Sequence, residues 1–204
     1  HPYVSSIIES SSGDIWITTS GFGLIKIDKN TGRPRYSTTL NKRLCSLYLQ
    51  SIYEDSDGIL WIGSDNKGLS TFNPATDEVR TYSETGHSGY FIPSNDISSI
   101  CEDDFGNIYL GSIKGGLSCF NKKAGTIVQI LSSNPNEKNL PVKSLLFDSK
   151  KRLWIGTDGF GLKQFNFQTK LIESYASGST SFDFSKSKVH SIIEDNIGNL
   201  WLGI

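Results

Sequence analysis

Short segments in which apolar and polar residues alternate recur along this chain, at 4–9, 49–54, 97–102, 142–147 and 189–194. Their length and β-branched content predict strands rather than helices. Each is followed by a tight turn and then by a more continuously apolar segment: 15–18, 60–63, 108–111, 153–156 and 200–203. Large residues on consecutive positions predict a middle strand buried on both faces. A Gly-rich turn leads to a third strand at 24–28, 69–73, 117–121 and 162–166. A further turn leads to an outer strand at 33–36, 79–82, 127–130 and 171–175.

The pattern is a repeat. In register, the aromatic of the second strand falls at Trp16, Trp61, Tyr109, Trp154 and Trp201, at spacings of 45, 48, 45 and 47 residues. Four antiparallel strands per unit at such a period are the signature of a β-propeller. The fold class is therefore all-β, with four full blades at about 1–47, 48–95, 96–141 and 142–188, and the first two strands of a fifth at 189–204. Because a closed propeller completes its last blade, a larger propeller is expected, of which this chain is a part.

The residue types within the repeat explain most of its conserved-looking features. The first turn opens with Asp and ends with Gly, as in Asp55-Ser56-Asp57-Gly58, where positive φ is cheap. Lys151 replaces that Gly in the fourth copy, so the turn there must accept strain or change type. The Asp clusters do not complete a calcium-loop pattern, and no metal is expected. Serine recurs at the third position of the first strand, at Ser6, Ser51, Ser99, Ser144 and Ser191, as a crowded inner strand requires. The recurring Trp is expected in the core.

Composition then narrows the chemistry. With 20 basic and 21 acidic residues unclustered in 204, the net charge is −1, which argues against a nucleic-acid surface. No apolar run could span a bilayer, no signal peptide is present, and His1 reads as a processed or cloned start. Cys45, Cys101 and Cys119 have neither zinc-site nor disulfide-framework spacing, and Cys101 reads as a small core hydrophobe. No cofactor is implied.

The unit Ser51-Ile52-Tyr53-Glu54-Asp55-Ser56-Asp57-Gly58-Ile59-Leu60-Trp61-Ile62-Gly63-Ser64, continued by Gly68-Leu69-Ser70-Thr71-Phe72-Asn73-Pro74, closely resembles the two-component regulator propeller repeat. Copies around Trp154 and Trp201 match the same pattern; Thr18 for Gly, Tyr109 for Trp and Lys151 for Gly depart from it. The resemblance implies the periplasmic sensor region of a bacterial hybrid histidine kinase, with kinase and membrane helix outside this chain. It also implies two seven-bladed propellers per receptor, a glycan-derived oligosaccharide as signal, a homodimer in the full-length receptor, and no catalysis by this region.

The segments between blades, 37–48, 83–96, 131–141 and 176–188, are the longest and least repetitive. Together with the Gly-rich turns they are expected to form one recognition face. Candidate ligand contacts there are Phe22, Arg43, Tyr48, Lys67, His87, Tyr90, Phe91, Lys114, Phe160 and Phe182, with the Tyr90-Phe91 pair favoured. Two alternatives are a protein-interaction or dimerisation scaffold and a propeller lyase or hydrolase. For the latter, His190 is the one histidine placed as a general base.

Overall fold

The computed structural model describes residues 3–86, 91–137, 139–175 and 185–204. It contains four four-stranded antiparallel sheets and one two-stranded sheet, with strands ordered as in the sequence. Blade 1 comprises β1 (Tyr3–Glu9), β2 (Ile15–Ser20), β3 (Gly23–Ile27) and β4 (Pro34–Tyr36). Blade 2 comprises β5 (Leu49–Glu54), β6 (Leu60–Ser64), β7 (Leu69–Asn73) and β8 (Glu78–Tyr82). Blade 3 comprises β9 (Ser99–Glu102), β10 (Asn107–Ser112), β11 (Gly116–Asn121) and β12 (Thr126–Ile130). Blade 4 comprises β13 (Val142–Phe147), β14 (Leu153–Thr157), β15 (Leu162–Asn166) and β16 (Leu171–Ser174), and β17 (Ser191–Glu194) pairs with β18 (Leu200–Gly203). The chain divides into two compact units, His1–Ile100 and Cys101–Ile204.

The second strand is buried on both faces, as expected: every residue of β6 and β14 is buried. Serine faces glycine across the first strand pair, Ser51 against Gly63 and Ser144 against Gly156. A Cβ on either glycine would overlap the serine hydroxyl. In the first unit, Trp16 meets Phe72 of the next blade edge-on, with ring centroids 5.9 Å apart. In the second, Tyr109 packs against Phe165 at 6.1 Å. The repeated aromatic thus seals one blade against the next.

The turn aspartates do more than turn. Asp55 Oδ1 accepts from the backbone N–H groups of Asp57 and Ile59, while Oδ2 accepts from Trp61 Nε1 at 2.8 Å. Asp148 serves Trp154 in the same way at 2.7 Å, and Asp195 serves Trp201 at 2.9 Å. In blade 3 the Tyr109 hydroxyl donates to Asp103 instead. At Trp61 and Trp154 the aspartate therefore satisfies the one polar atom of a buried indole, which is otherwise costly.

At the same strand ends, glutamate clamps successive blades. Ser11 donates its backbone N–H and its hydroxyl to Glu54, and Ser149 does the same to Glu194. Between blades 3 and 4 the serine position is Asp104, and Lys151 pairs with it at 2.6 Å. Lys151 keeps the ordinary turn at φ 62°, close to the values of its glycine counterparts, so the turn accepts strain rather than changing type.

Three expectations need correction. Trp201 is 61% exposed, unlike Trp61 at 3%, because β17 and β18 stand as a pair without third and fourth strands covering the indole. Segment 37–48 is not an open loop: it forms a short helix, α1 (Thr38–Asn41), capped by the Ser37 hydroxyl. Leu40 and Leu44 from this segment enter the core with Trp16, Leu49 and Phe72. Asn41 brackets the Leu24 backbone, accepting from its N–H at 2.7 Å and donating to its carbonyl at 2.9 Å. Finally, the first strands begin late in two copies, at Ser99 and Ser191.

Candidate functional site

The edge of each sheet that carries the second-to-third-strand turn also receives the connector to the next blade. A hydroxyl at the end of the second strand organises each turn. Thr19 Oγ1 donates to the Gly23 carbonyl and accepts from Phe22 N–H. Ser64 does the same for Gly68 and Lys67, and Thr157 for Gly161 and Phe160. In the third copy Ser112 accepts from both Lys114 and Gly115. The turns are thereby pre-organised, and Phe22, Lys67 and Phe160 occupy one structural position at their tips.

Connectors lock onto these turns through the backbone. Gly21 and Gly23 both donate to the Leu47 carbonyl, Gly68 to Asn95, and Gly161 to Ser187. Tyr48 consequently sits between two turns of the first unit. It bridges to Ser20 in blade 1, and its carbonyl accepts from the Asp65 N–H in blade 2. Its ring is 59% exposed.

The next residue class was missed by sequence reasoning. The β1–β2, β5–β6 and β13–β14 registers each slip just before the recurring serine, at Ser5, Gln50 and Lys143. Such bulges re-aim a side chain and are enriched beside active sites. Here Gln50 Nε2 donates to Asp65 Oδ1 at 2.7 Å, and Lys143 Nζ lies 3.9 Å from Asp158 Oδ2. Asp65 and Asp158 hold the same place in their turns. A repeating signal existed, since a polar residue precedes each serine, but alternation alone gives no sign of an extra residue.

The second unit concentrates charge around Asp158. Lys188 pairs with it at 3.0 Å, and the two residues form a backbone bridge. The Lys188 ammonium holds the Asp158 carboxyl below its ordinary range; partial burial opposes this, and Lys143 and His190 add to the lowering. His190 is exposed, and its backbone N–H donates to Gly203.

Of the ten candidates, Phe22, Tyr48 and Lys67 lie on one edge in the first unit, and Lys114 and Phe160 on the corresponding edge in the second. Arg43 goes elsewhere. It makes a two-pronged pair with Asp77, in the turn before β8, at 3.0 and 2.8 Å. That turn is at the opposite end of β7, about 15 Å away along a five-residue strand. Phe91 bridges to Ser83 beyond the outer strand β8, while Tyr48 enters the inner strand β5, about 14 Å across the sheet. His87, Tyr90 and Phe182 lie outside the described residues. Among the described residues no group of three or more His, Cys, Asp or Glu could hold a metal ion, and no helix is long and apolar enough to cross a membrane.

Comparison with known proteins fits this architecture. The family model described as "Two component regulator propeller" matches three segments of the chain, residues 44–66, 92–114 and 136–159. No curated protein matches the sequence. Among solved structures, the extracellular domain of BT3049 from B. thetaiotaomicron, described as a hybrid two component system, superposes with a TM-score of 0.77 at 26% identity. It is covered over 98% of this chain and 25% of its own. The extracellular domain of BT4673 from the same organism, described as a one component system, gives 0.68 at 19% identity, over 98% of this chain and 37% of its own. Virginiamycin B lyase from Staphylococcus aureus gives 0.69 at 17% identity, over 98% and 62%, a likeness of fold alone. This chain spans about a quarter of the BT3049 chain and under two fifths of the BT4673 chain.

Proposed function

We propose that this chain, three segments of which match the two component regulator propeller, is a ligand-sensing part of the extracytoplasmic region of a hybrid two-component receptor. Its ligand is a glycan-derived oligosaccharide. The observation that carries the reading is that each unit has an edge on which exposed aromatic rings and polar side chains lie together. In the first unit these are Phe22, Tyr48, Gln50, Asp65 and Lys67; in the second, Lys114, Lys143, Asp158 and Phe160.

The chemistry suits a sugar. Pyranose C–H faces pack on aromatic rings, and hydroxyls exchange hydrogen bonds with carboxylate, amide and ammonium groups held in place. Asp65 and Asp158 accept, Lys67 and Lys143 donate, and Gln50 does both. Pre-organised turns reduce the ordering cost of binding. In the complete receptor, signalling requires that the sugar bind one dimer arrangement more tightly than the other, since equal affinity shifts no equilibrium. The kinase and the membrane anchor belong to segments beyond this chain.

The test is calorimetric titration of a panel of plant, fungal and host-glycan oligosaccharides against this chain and against the whole extracytoplasmic region. Saturable binding to this chain, weakened by Tyr48→Ala and Gln50→Ala, supports the reading. Failure of every oligosaccharide with both proteins overturns it.

A further inference from the structure

We propose that the edge of the second unit recognises an acidic sugar, one that carries a carboxylate or a sulfate. This names the ligand class of the oligosaccharide reading above and rests on it. The argument comes from comparing one aspartate with its counterpart in another blade.

Asp65 and Asp158 directly follow the hydroxyl residue that organises their turn, Ser64 and Thr157. Two neighbouring positions are equivalent as well. Gln50 and Lys143 are the bulged residues of the two first strands. Asp96 and Lys188 are the last connector residues, since Ile97 and Val189 after them donate their N–H groups to the Ser64 and Thr157 carbonyls. The three positions thus hold Asp, Gln and Asp in blade 2 but Asp, Lys and Lys in blade 4. By formal charge the first set is negative and the second positive.

The surplus is not cancelled elsewhere on this edge. Lys114 stands in the blade 3 turn, and Lys186 lies two residues before Lys188 in the last connector. Among the described residues, the connectors and second-to-third-strand turns of the second unit hold the carboxylates of Asp158 and Glu137. Glu137 is taken up by Lys163, an almost fully buried ammonium, at 2.9 Å. The edge is therefore positive in a chain whose net charge is −1.

The cations stand on fixed backbone. Lys188 bridges through its backbone to Asp158, between the Gly161–Ser187 and Val189–Thr157 hydrogen bonds. Its Nζ sits 3.0 Å from Asp158 Oδ1, while Lys143 Nζ lies 3.9 Å from Oδ2, beyond hydrogen-bond reach. Lys143 thus keeps all three N–H groups for an incoming acceptor, and Lys188 keeps two. His190 takes the place of Lys143 in the following repeat and, behind Lys188 and Lys143, helps to keep Asp158 ionised. Carboxylate and sulfate oxygens are acceptors only, and charge-assisted bonds to them are stronger than bonds to neutral hydroxyls. Asp158 spaces the two ammoniums and accepts from a sugar hydroxyl beside the anion. Phe160, 40% exposed at the adjoining turn tip, offers a ring face.

Two matched pairs of probes separate carboxylate from sulfate: trigalacturonic acid with its methyl ester, and a sulfated galactan tetrasaccharide with its desulfated form. Each is titrated by calorimetry into this chain and into the whole extracytoplasmic region. The acidic member of at least one pair should bind about tenfold more tightly than its uncharged partner. Raising salt from about 0.05 to about 0.5 M should remove most of that preference. Preference within the first pair assigns a carboxylate, and within the second a sulfate.

Lys143→Gln and Lys188→Gln should each weaken the acidic probe by about tenfold and leave its uncharged partner unchanged. Lys150→Gln, in the turn at the opposite strand ends, changes the net charge equally and should alter neither. Oligosaccharide binding without acidic preference overturns this proposal and leaves the oligosaccharide reading standing. An acidic preference undiminished in both lysine variants also overturns it. Binding of no oligosaccharide at all overturns both.

Discussion

The hydroxyl of Ser51 donates to the carbonyl of Ile97 at 2.9 Å, joining the first strand of blade 2 to the residue that leads toward β9. Ser144 makes the same bond to Val189 at 3.3 Å. In both places the glycine opposite the serine leaves no room for a side chain, because the serine hydroxyl and the carbonyl it holds fill the space.

Gly63→Ala should consequently destabilise the chain by about 3 kcal/mol, since backbone as well as side chain must move. Gly58→Ala should cost only about 1 kcal/mol, from its positive φ, because nothing lies within 4 Å of the added carbon. In the double variant Ser51→Ala/Gly63→Ala the loss should be smaller than the sum of the single losses. Urea unfolding midpoints of the three single variants, the double variant and the unaltered chain test this; equal losses at Gly63 and Gly58 would contradict the packing argument.

Asp148→Ala should be among the most damaging single changes, at about 3–5 kcal/mol. It strands the Trp154 N–H, on a residue only 1% exposed, and unpairs Arg152, which contacts Asp148 at 2.6 Å. Asp195→Ala, whose partner Trp201 is exposed, should shift the midpoint little. Thermal unfolding followed by tryptophan fluorescence distinguishes the two.

Acid should act through the same carboxylates. The Trp201 indole and neighbouring backbone N–H groups hold Asp195 at about 2, and the Lys26 ammonium holds Asp14 at about 2, both below the ordinary 3.8. A depressed carboxyl stabilises the fold fully above its unfolded value and loses that contribution as pH falls through its folded value. Stability contributed by these groups should therefore be flat above about pH 4 and decline from there toward pH 2. Carboxyl ¹³C titration should show both midpoints near 2; midpoints near 4 would refute the assigned partners.

Lys143→Ala and Asp158→Ala should each weaken oligosaccharide binding by about tenfold if both groups touch sugar. Arg43→Ala, which removes only the remote pair with Asp77, should leave affinity unchanged. Calorimetry on the three variants decides whether the bulge residues belong to the site.

Much of this fold was legible because its causes are local. The alternation that marks Leu49–Glu54, the turn at Asp55 and the run at Leu60–Ser64 each fix a few residues of backbone, and repetition multiplies the signal. The indole–aspartate bond could have been read too, since Asp and Trp recur six residues apart at Asp55/Trp61, Asp148/Trp154 and Asp195/Trp201. Other features depend on partners distant in sequence. Nothing near Arg43 announces Asp77, and nothing near Leu40 announces that a connector will plug the space between two sheets. The candidate site suffered most, because a bulge at Gln50 changes where a side chain points without changing composition.

The glutamate clamps, Glu54 on Ser11 and Glu194 on Ser149, lie at the strand ends opposite the turns that carry Phe22, Lys67 and Phe160. Alignment of neighbouring repeats is thus enforced on one side, while exposed chemistry is displayed on the other. The exposed turn-tip side chains on that side make none of the bonds that hold the clamps. Gene duplication followed by divergence can then give each copy its own turn-tip residue, phenylalanine in one and lysine in another, without disturbing how the copies adhere.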